Sequence, residues 1–270
     1  MRKREKILVR TVDSDVVVIL VGFFVQFLQY AKDIQLSVDF GVSNNRKIIN
    51  INDCFKHLGK VKSLALPFFH AFSGCDSTAF FYKKSKISLY TSWTKSQCCD
   101  EITEAFKQLS WLPTEKEIEK NLPVICKFIS AAFGDTTNSG SLHEFRLKLF
   151  KASSINKFRE LPPSEEGLEL HIRRSCYHSG WVWGNSTSQE PVPPVERFGW
   201  TAYNDKLSIQ WMKSAGQSCL EKLTKTCGCK PASGVQSKKC NSCVCGKAGL
   251  SCLGQCKFQR SCIPTLTYSN

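Results

Sequence analysis

Eight cysteines lie in the last 44 residues of the chain, at Cys227, Cys229, Cys240, Cys243, Cys245, Cys252, Cys256 and Cys262. The pairs Cys227-Gly-Cys229 and Cys243-Val-Cys245 put two thiolates on one turn, where they reach the same or neighbouring zinc ions at about 2.3 Å. Eight thiolates exceed the four that one tetrahedral zinc accepts, so the set suits two or three structural zincs sharing bridging sulfurs. An oxidised knot is the alternative. The total of 15 cysteines is odd and no secretory leader is expected, which together favour reduced thiols and metal. From Lys222 to Arg260 there are eight basic residues and no acidic one. Lys230, Lys238, Lys239, Lys247, Lys257 and Arg260 are therefore the side chains expected to neutralise phosphates, and the partner expected is a nucleic acid, DNA in the first place.

A second constellation is acidic. Asp13 and Asp15 follow a predicted strand, and Asp76 follows a predicted helix at Gly74-Cys75-Asp76. Carboxylates beyond the C-terminal ends of α/β strands are where ligands and metals collect, and magnesium pairs held by such groups clamp the two oxygens of a phosphodiester exchange. The alternative on spacing alone is that Asp13 and Asp15 cap the following helix and Asp76 is a turn residue. His70, in an apolar helix, reads as a satisfied core residue. Cys75, beside Asp76, reads as a buried thiol rather than a nucleophile, since no His-Asn pairing can be placed near it. Lys83, Lys84 and Lys86 either face a phosphate backbone or form a solvated basic face.

The elements that must position these groups come in two textures. Ile7 to Val12 reads as a strand, Val16 to Tyr30 as a buried helix, and Ile34 to Phe40 with Lys47 to Ile51 as a hairpin. Asn52 or Asp53 is expected to cap a short helix ended by Gly59, with Leu64 to Phe72 the next. Further helices are predicted at Lys86–Thr94, Asp100–Leu109, Thr114–Phe133 (broken or kinked at Pro123), Ser141–Phe150 and Glu165–Tyr177. Gly184 to Pro194 reads as a linker, and Trp200 and Trp211 bracket a short hairpin around Tyr203 to Leu207. The aromatics there are expected chiefly to pack. The fold class is thus α/β, divided as 1–155 for the α/β domain, 156–198 for a helix and Pro-rich linker, and 199–270 for the Trp-containing lead-in and zinc module.

A chain of 270 residues with 42% hydrophobic and 22% charged content can bury a core. Its net charge of +14 favours a phosphate-bearing partner. The longest apolar run, Val16 to Leu28, is shorter than the roughly 20 residues of a membrane span, so no membrane association is expected. Thr11, Asp13 and Asp15 separate it from the charged start Met1-Arg-Lys-Arg-Glu-Lys, so secretion is not expected either. No phosphate-cradling glycine loop is present, and no small-molecule cofactor is expected.

Two resemblances attach to these residues. The stretch Cys227-Gly-Cys229-Lys230, Lys239-Cys240 and Cys243-Val-Cys245-Gly-Lys-Ala-Gly-Leu-Ser-Cys252-Leu-Gly-Gln-Cys256 resembles the tesmin-type CXC domain, a cysteine-rich DNA-binding unit in which nine cysteines hold three zincs. Phe258 stands where the ninth would fall, and the Cys229 to Cys240 spacing is stretched. Val9-Arg-Thr-Val-Asp13-Ser-Asp15 and Leu66-Pro-Phe-Phe-His-Ala-Phe-Ser-Gly74-Cys-Asp76 resemble motifs of PIN and flap-endonuclease-like nucleases. Nearly the whole chain is similar to animal proteins of mobile-element character that join such a half to a CXC segment. They share Gly74-Cys-Asp-Ser-Thr-Ala-Phe-Phe81, Lys83-Lys-Ser-Lys86, Trp93, Gly199-Trp200 and Trp211. The resemblance implies a partial PIN-like sheet lacking an earlier acidic motif and its strand, with Asp13, Asp15 and Asp76 as catalytic or magnesium-binding residues. It also implies a nuclear, zinc-dependent nucleic-acid binder. A magnesium-dependent nuclease of weak or no activity and a zinc-stabilised protein-interaction module are the alternatives.

Overall fold

The computed structural model describes residues 6–136, 141–152, 160–184, 191–204 and 206–213. The cysteines from Cys227 to Cys262 expected to bind zinc and the basic residues from Lys230 to Arg260 named with them lie outside the described residues. The fold is mixed α/β. Two compact units are formed, Met1–Leu142 with Pro162–Trp211, and His143–Leu161 with Met212–Asn270.

In the first unit, β1 (Lys6–Thr11) runs into α1 (Ser14–Gly22) and α2 (Phe24–Tyr30), then β2 (Gln35–Phe40) and β3 (Lys47–Asn50). The predicted single helix from Val16 to Tyr30 is two, interrupted at Phe23 with φ −90° and ψ 0°. The sheet order is β1-β2-β3. β1 pairs parallel with β2 from Lys6↔Gln35 to Thr11↔Phe40, and β2 pairs antiparallel with β3 from Ser37↔Asn50 to Phe40↔Lys47. β2 therefore carries the buried alternation, with Leu36 and Val38 packed against Val21, Phe24, Ile34 and Ile51 in a small core.

α3 (Ile51–Phe72) joins that core to a larger one. Its cap is Asn50, whose side chain accepts from Asp53 N at 3.3 Å. The predicted cap Asn52 instead bridges to the sheet, donating to Ile34 O at 2.8 Å and accepting from Leu36 N at 2.9 Å. Gly59 departs from helical geometry (φ 75°, ψ 164°), as its predicted helix-ending role requires, but the helix resumes at once. Beyond it, Phe68, Phe69 and Phe72 meet Trp93 of α4 (Lys86–Thr94) and Phe106 of α5 (Cys99–Leu109). Rings Phe68 and Phe72 stack at 5.4 Å, and Trp93 stands edge-on to Phe106 at 5.0 Å. Trp93 and Phe106 are fully buried, and burial of each such side chain stabilises the fold by about 1.5–3 kcal/mol.

α6 (Glu115–Ala132) starts at a capping box made by Thr114 and Glu117 and runs unbroken past Pro123. Of the expected break or kink, the break does not occur, and the exposure of Pro123 fits this, because the lost hydrogen bond falls on the solvent side. Leu168, Ile172 and Cys176 of α8 (Glu165–Tyr177) are fully buried in the larger core, so this helix is part of the body. β4 (Trp200–Tyr203) and β5 (Lys206–Ile209) pair antiparallel between Trp200 and Trp211, as the sequence predicts. In the second unit, the described residues belong chiefly to α7 (Leu142–Ala152). No described helix is long and apolar enough to cross a membrane.

Candidate functional site

The groups singled out in the sequence are positioned by three elements. β1 ends at Thr11, whose hydroxyl accepts from Asp13 N at 3.0 Å. The Asp13 carboxylate then accepts from Asp15 N at 2.8 Å and caps α1. Asp13 thus has the capping role that spacing allowed. Asp15, in the first turn of the helix, reaches His70 of α3.

There Asp15 Oδ1 meets His70 Nε2 at 2.7 Å. The other ring nitrogen, Nδ1, lies 3.0 Å from Lys86 Nζ. An ammonium only donates, so Nδ1 accepts and Nε2–H donates to Asp15, the arrangement of a neutral imidazole. Burial holds the His70 pKa below its ordinary value, aided by the charge of Lys86 and opposed by Asp15. Lys86 also donates to His70 O at 2.9 Å and Gly74 O at 2.7 Å, which uses all three of its hydrogens. Burial lowers the Lys86 pKa. His70 is therefore the satisfied residue predicted, satisfied by a relay from Asp15 to Lys86. For Lys86 the choice between a phosphate face and a solvated face gives way to a third role, that of an internal cation.

The Gly74–Thr78 loop follows directly. Gly74 has φ 108°, and a Cβ there would come within 2.7 Å of Phe80 Cβ, so only glycine allows this turn. Cys75 and Thr78 form a bridge with backbone bonds of 3.2 and 3.3 Å. Asp76 is exposed between them, in the turn position. Lys84 sits over the Phe133 ring at 4.8 Å and Lys83 over Tyr82 at 5.8 Å.

Three functional neighbours are illegible in the sequence. His178, just past the end of α8, is near enough to Cys75 to help lower its pKa against the effect of burial. Trp183 packs against both imidazoles, 4.6 Å from His178 and 5.7 Å from His70. Asp39, at the end of β2, is 2% exposed and paired with Arg46 through both carboxylate oxygens. Arg46 holds the Asp39 carboxyl below the usual carboxylate range. The sole sequence hint for the first two is the run of small, polar and aromatic residues, His178-Ser-Gly-Trp-Val-Trp183, where a helix should simply end.

Three of the acids are engaged within the protein. Asp13 is engaged by the cap, Asp15 by His70, and Asp39 by Arg46. Among the described residues, no group of three or more His, Cys, Asp or Glu side chains is arranged to hold a metal ion. What the arrangement can do is hold a fixed positive charge beside the loop that carries Cys75. A scan of protein-family models, a search of curated proteins and a search of solved structures each found no match to the chain.

Proposed function

We propose that this is a nucleic-acid-binding protein, with DNA as partner and the nucleus as its site of action. Its C-terminal cysteines hold two or three structural zincs in a CXC-like module, and its body is a partial PIN-like domain that serves as a scaffold. One observation carries the reading: eight cysteines and eight basic residues share the stretch from Lys222 to Cys262, without an acidic residue between Lys222 and Arg260. Thiolate donors at one-residue spacing suit tetrahedral zinc. Cys227, Cys229, Cys240, Cys243, Cys245, Cys252, Cys256 and Cys262 would hold the ions. Metal binding would supply the folding energy that so short a segment cannot draw from an apolar core.

Binding is favoured over cleavage because each described carboxylate near the end of the sheet already has a partner within the protein, and Asp76 faces solvent. Native mass spectrometry of the purified full chain tests the zinc claim. Two or three zincs are expected, with at least one lost in Cys243→Ser/Cys245→Ser together with duplex affinity. A zinc-free chain that binds DNA as well as the zinc-loaded one would overturn the reading.

A further inference from the structure

The segment from Ala79 to Lys84 has no part in the role proposed for the body, yet its fold is specific. Phe81 is its anchor, 7% exposed and packed against Phe72 at 5.1 Å, His171 at 5.2 Å and Phe133 at 6.4 Å. The rings on either side are left in solvent, Phe80 at 75% exposure and Tyr82 at 46%. Both are fixed where they stand. The Phe80 backbone folds onto Gly74, which has no Cβ to obstruct it, and Thr78, two residues earlier, donates its hydroxyl to Ala71 O. Tyr82 sits in a turn closed by Lys84 N donating to Phe81 O at 3.0 Å, with Lys83 in left-handed backbone at φ 57°.

Leaving a ring in water forgoes the stabilisation its burial would give. Single exposed apolar side chains are ordinary, but two rings flanking one buried anchor form a patch, and patches mark contact surfaces. The charge around this one is one-sided. From Ser77 to Cys99 the chain has four lysines, Lys83, Lys84, Lys86 and Lys95, and no acid. Asp76, in the neighbouring turn, is exposed. Lys86 is committed internally, so Lys83 and Lys84 are the cations beside the rings. Lys83 Nζ lies 5.8 Å from the centre of the Tyr82 ring, and Lys84 Nζ lies 4.8 Å from that of Phe133, which packs against Phe81. Rings flanked by ammonium groups suit a ligand that has flat π faces and a negative backbone. A strand of nucleic acid has both, and its bases offer their faces only when they are unpaired.

We propose that Phe80 and Tyr82 form a stacking platform for the unpaired bases of a single-stranded nucleic acid, with Lys83 and Lys84 neutralising phosphates beside it. The proposal rests on the reading of the chain as a nucleic-acid binder and extends it: the cysteine-rich end takes the duplex, and the body takes single strand. Every base has a π face, so the platform selects strand state and not sequence. A lipid surface also accepts aromatic rings and lysines, but it draws on their apolar area and not on their π faces. Leucine at the two positions therefore separates the two ligands.

The test measures the affinity of the full chain for labelled oligo-dT and oligo-U of about 20 nucleotides, which tell DNA from RNA, and for a duplex of the same length. Phe80→Ala/Tyr82→Ala is expected to weaken binding to single strand by at least about tenfold and to leave duplex affinity within about twofold. Phe80→Leu/Tyr82→Leu, which keeps apolar area and removes the rings, is expected to weaken it as much. A wild-type chain that binds no single strand, single-strand affinity unchanged in the alanine variant or restored in the leucine variant, or equal losses on single strand and duplex would each overturn the proposal. Binding to phosphatidylserine vesicles that the alanine variant loses and the leucine variant keeps would assign the patch to a lipid surface instead. A chain that binds single strand through these rings but no duplex contradicts only the reading of the cysteine-rich end. A chain that binds duplex and makes no use of the rings contradicts only the platform.

Discussion

His171 makes the most direct pH prediction. It is buried in the larger core, its Nε2 bonded to Phe72 O at 2.8 Å, and burial lowers its pKa to about 4. The folded pKa is depressed, so the unfolded chain binds the extra proton. The contribution is full above the unfolded value and is lost as pH falls through the folded one. Between about pH 7.5 and about pH 5 it should cost roughly 2 kcal/mol of stability. Urea denaturation at the two pH values should show that loss, and His171→Gln, which keeps an N–H donor, should largely abolish it. At Lys86 the prediction concerns charge. Lys86→Met leaves two carbonyls and the His70 ring nitrogen without their donor, and should destabilise by about 2 kcal/mol. A melt unchanged by this substitution would remove the internal-cation role. Residue-scale legibility was uneven for a physical reason. The Asp13 cap needs a contact two residues away and follows from spacing, whereas the Asp15–His70 and Phe72–His171 contacts join residues 55 and 99 positions apart in the sequence.

Elements were far more legible than contacts. Lys86–Thr94 and Glu165–Tyr177 lie where capping serines and apolar spacing place them, since Ser85 and Ser164 accept from Ser88 N and Gly167 N. The hairpin of β2 and β3 follows from its alternation and polar turn. Two departures arise where neighbours override local signals. Phe23 breaks a run that its own propensity would continue, and Trp111 stands edge-on to its ring at 4.8 Å. Pro123 was expected to break or kink its helix, but Ile118, Ile125 and Ile129 are buried on one face of α6, which continues past the proline. The predicted consequence is that Pro123→Ala stabilises the protein by about 2 kcal/mol, the helix gaining a hydrogen bond it now lacks. Thermal melts would check the sign, and a destabilised variant would show that the proline is needed for packing.

At the scale of the whole molecule, charge and cysteine placement divide the labour. The described body engages Asp13, Asp15, Asp39 and His70 in internal partnerships, and the cationic, thiol-rich segment from Lys222 to Cys262 is the feature suited to a polyanion. Under this account the body orients the chain on a duplex and the end binds it. A protein-interaction module would keep the zincs but lose the dependence on phosphate charge, so counterion release separates the two readings. The deciding measurement is the affinity of the zinc-loaded full chain for duplex DNA across a salt series. If Lys230, Lys238, Lys239, Lys247, Lys257 and Arg260 each neutralise a phosphate, log K should fall against log salt with a slope of about −5. A slope near zero, or no DNA binding by a chain that holds its zincs, would contradict the account.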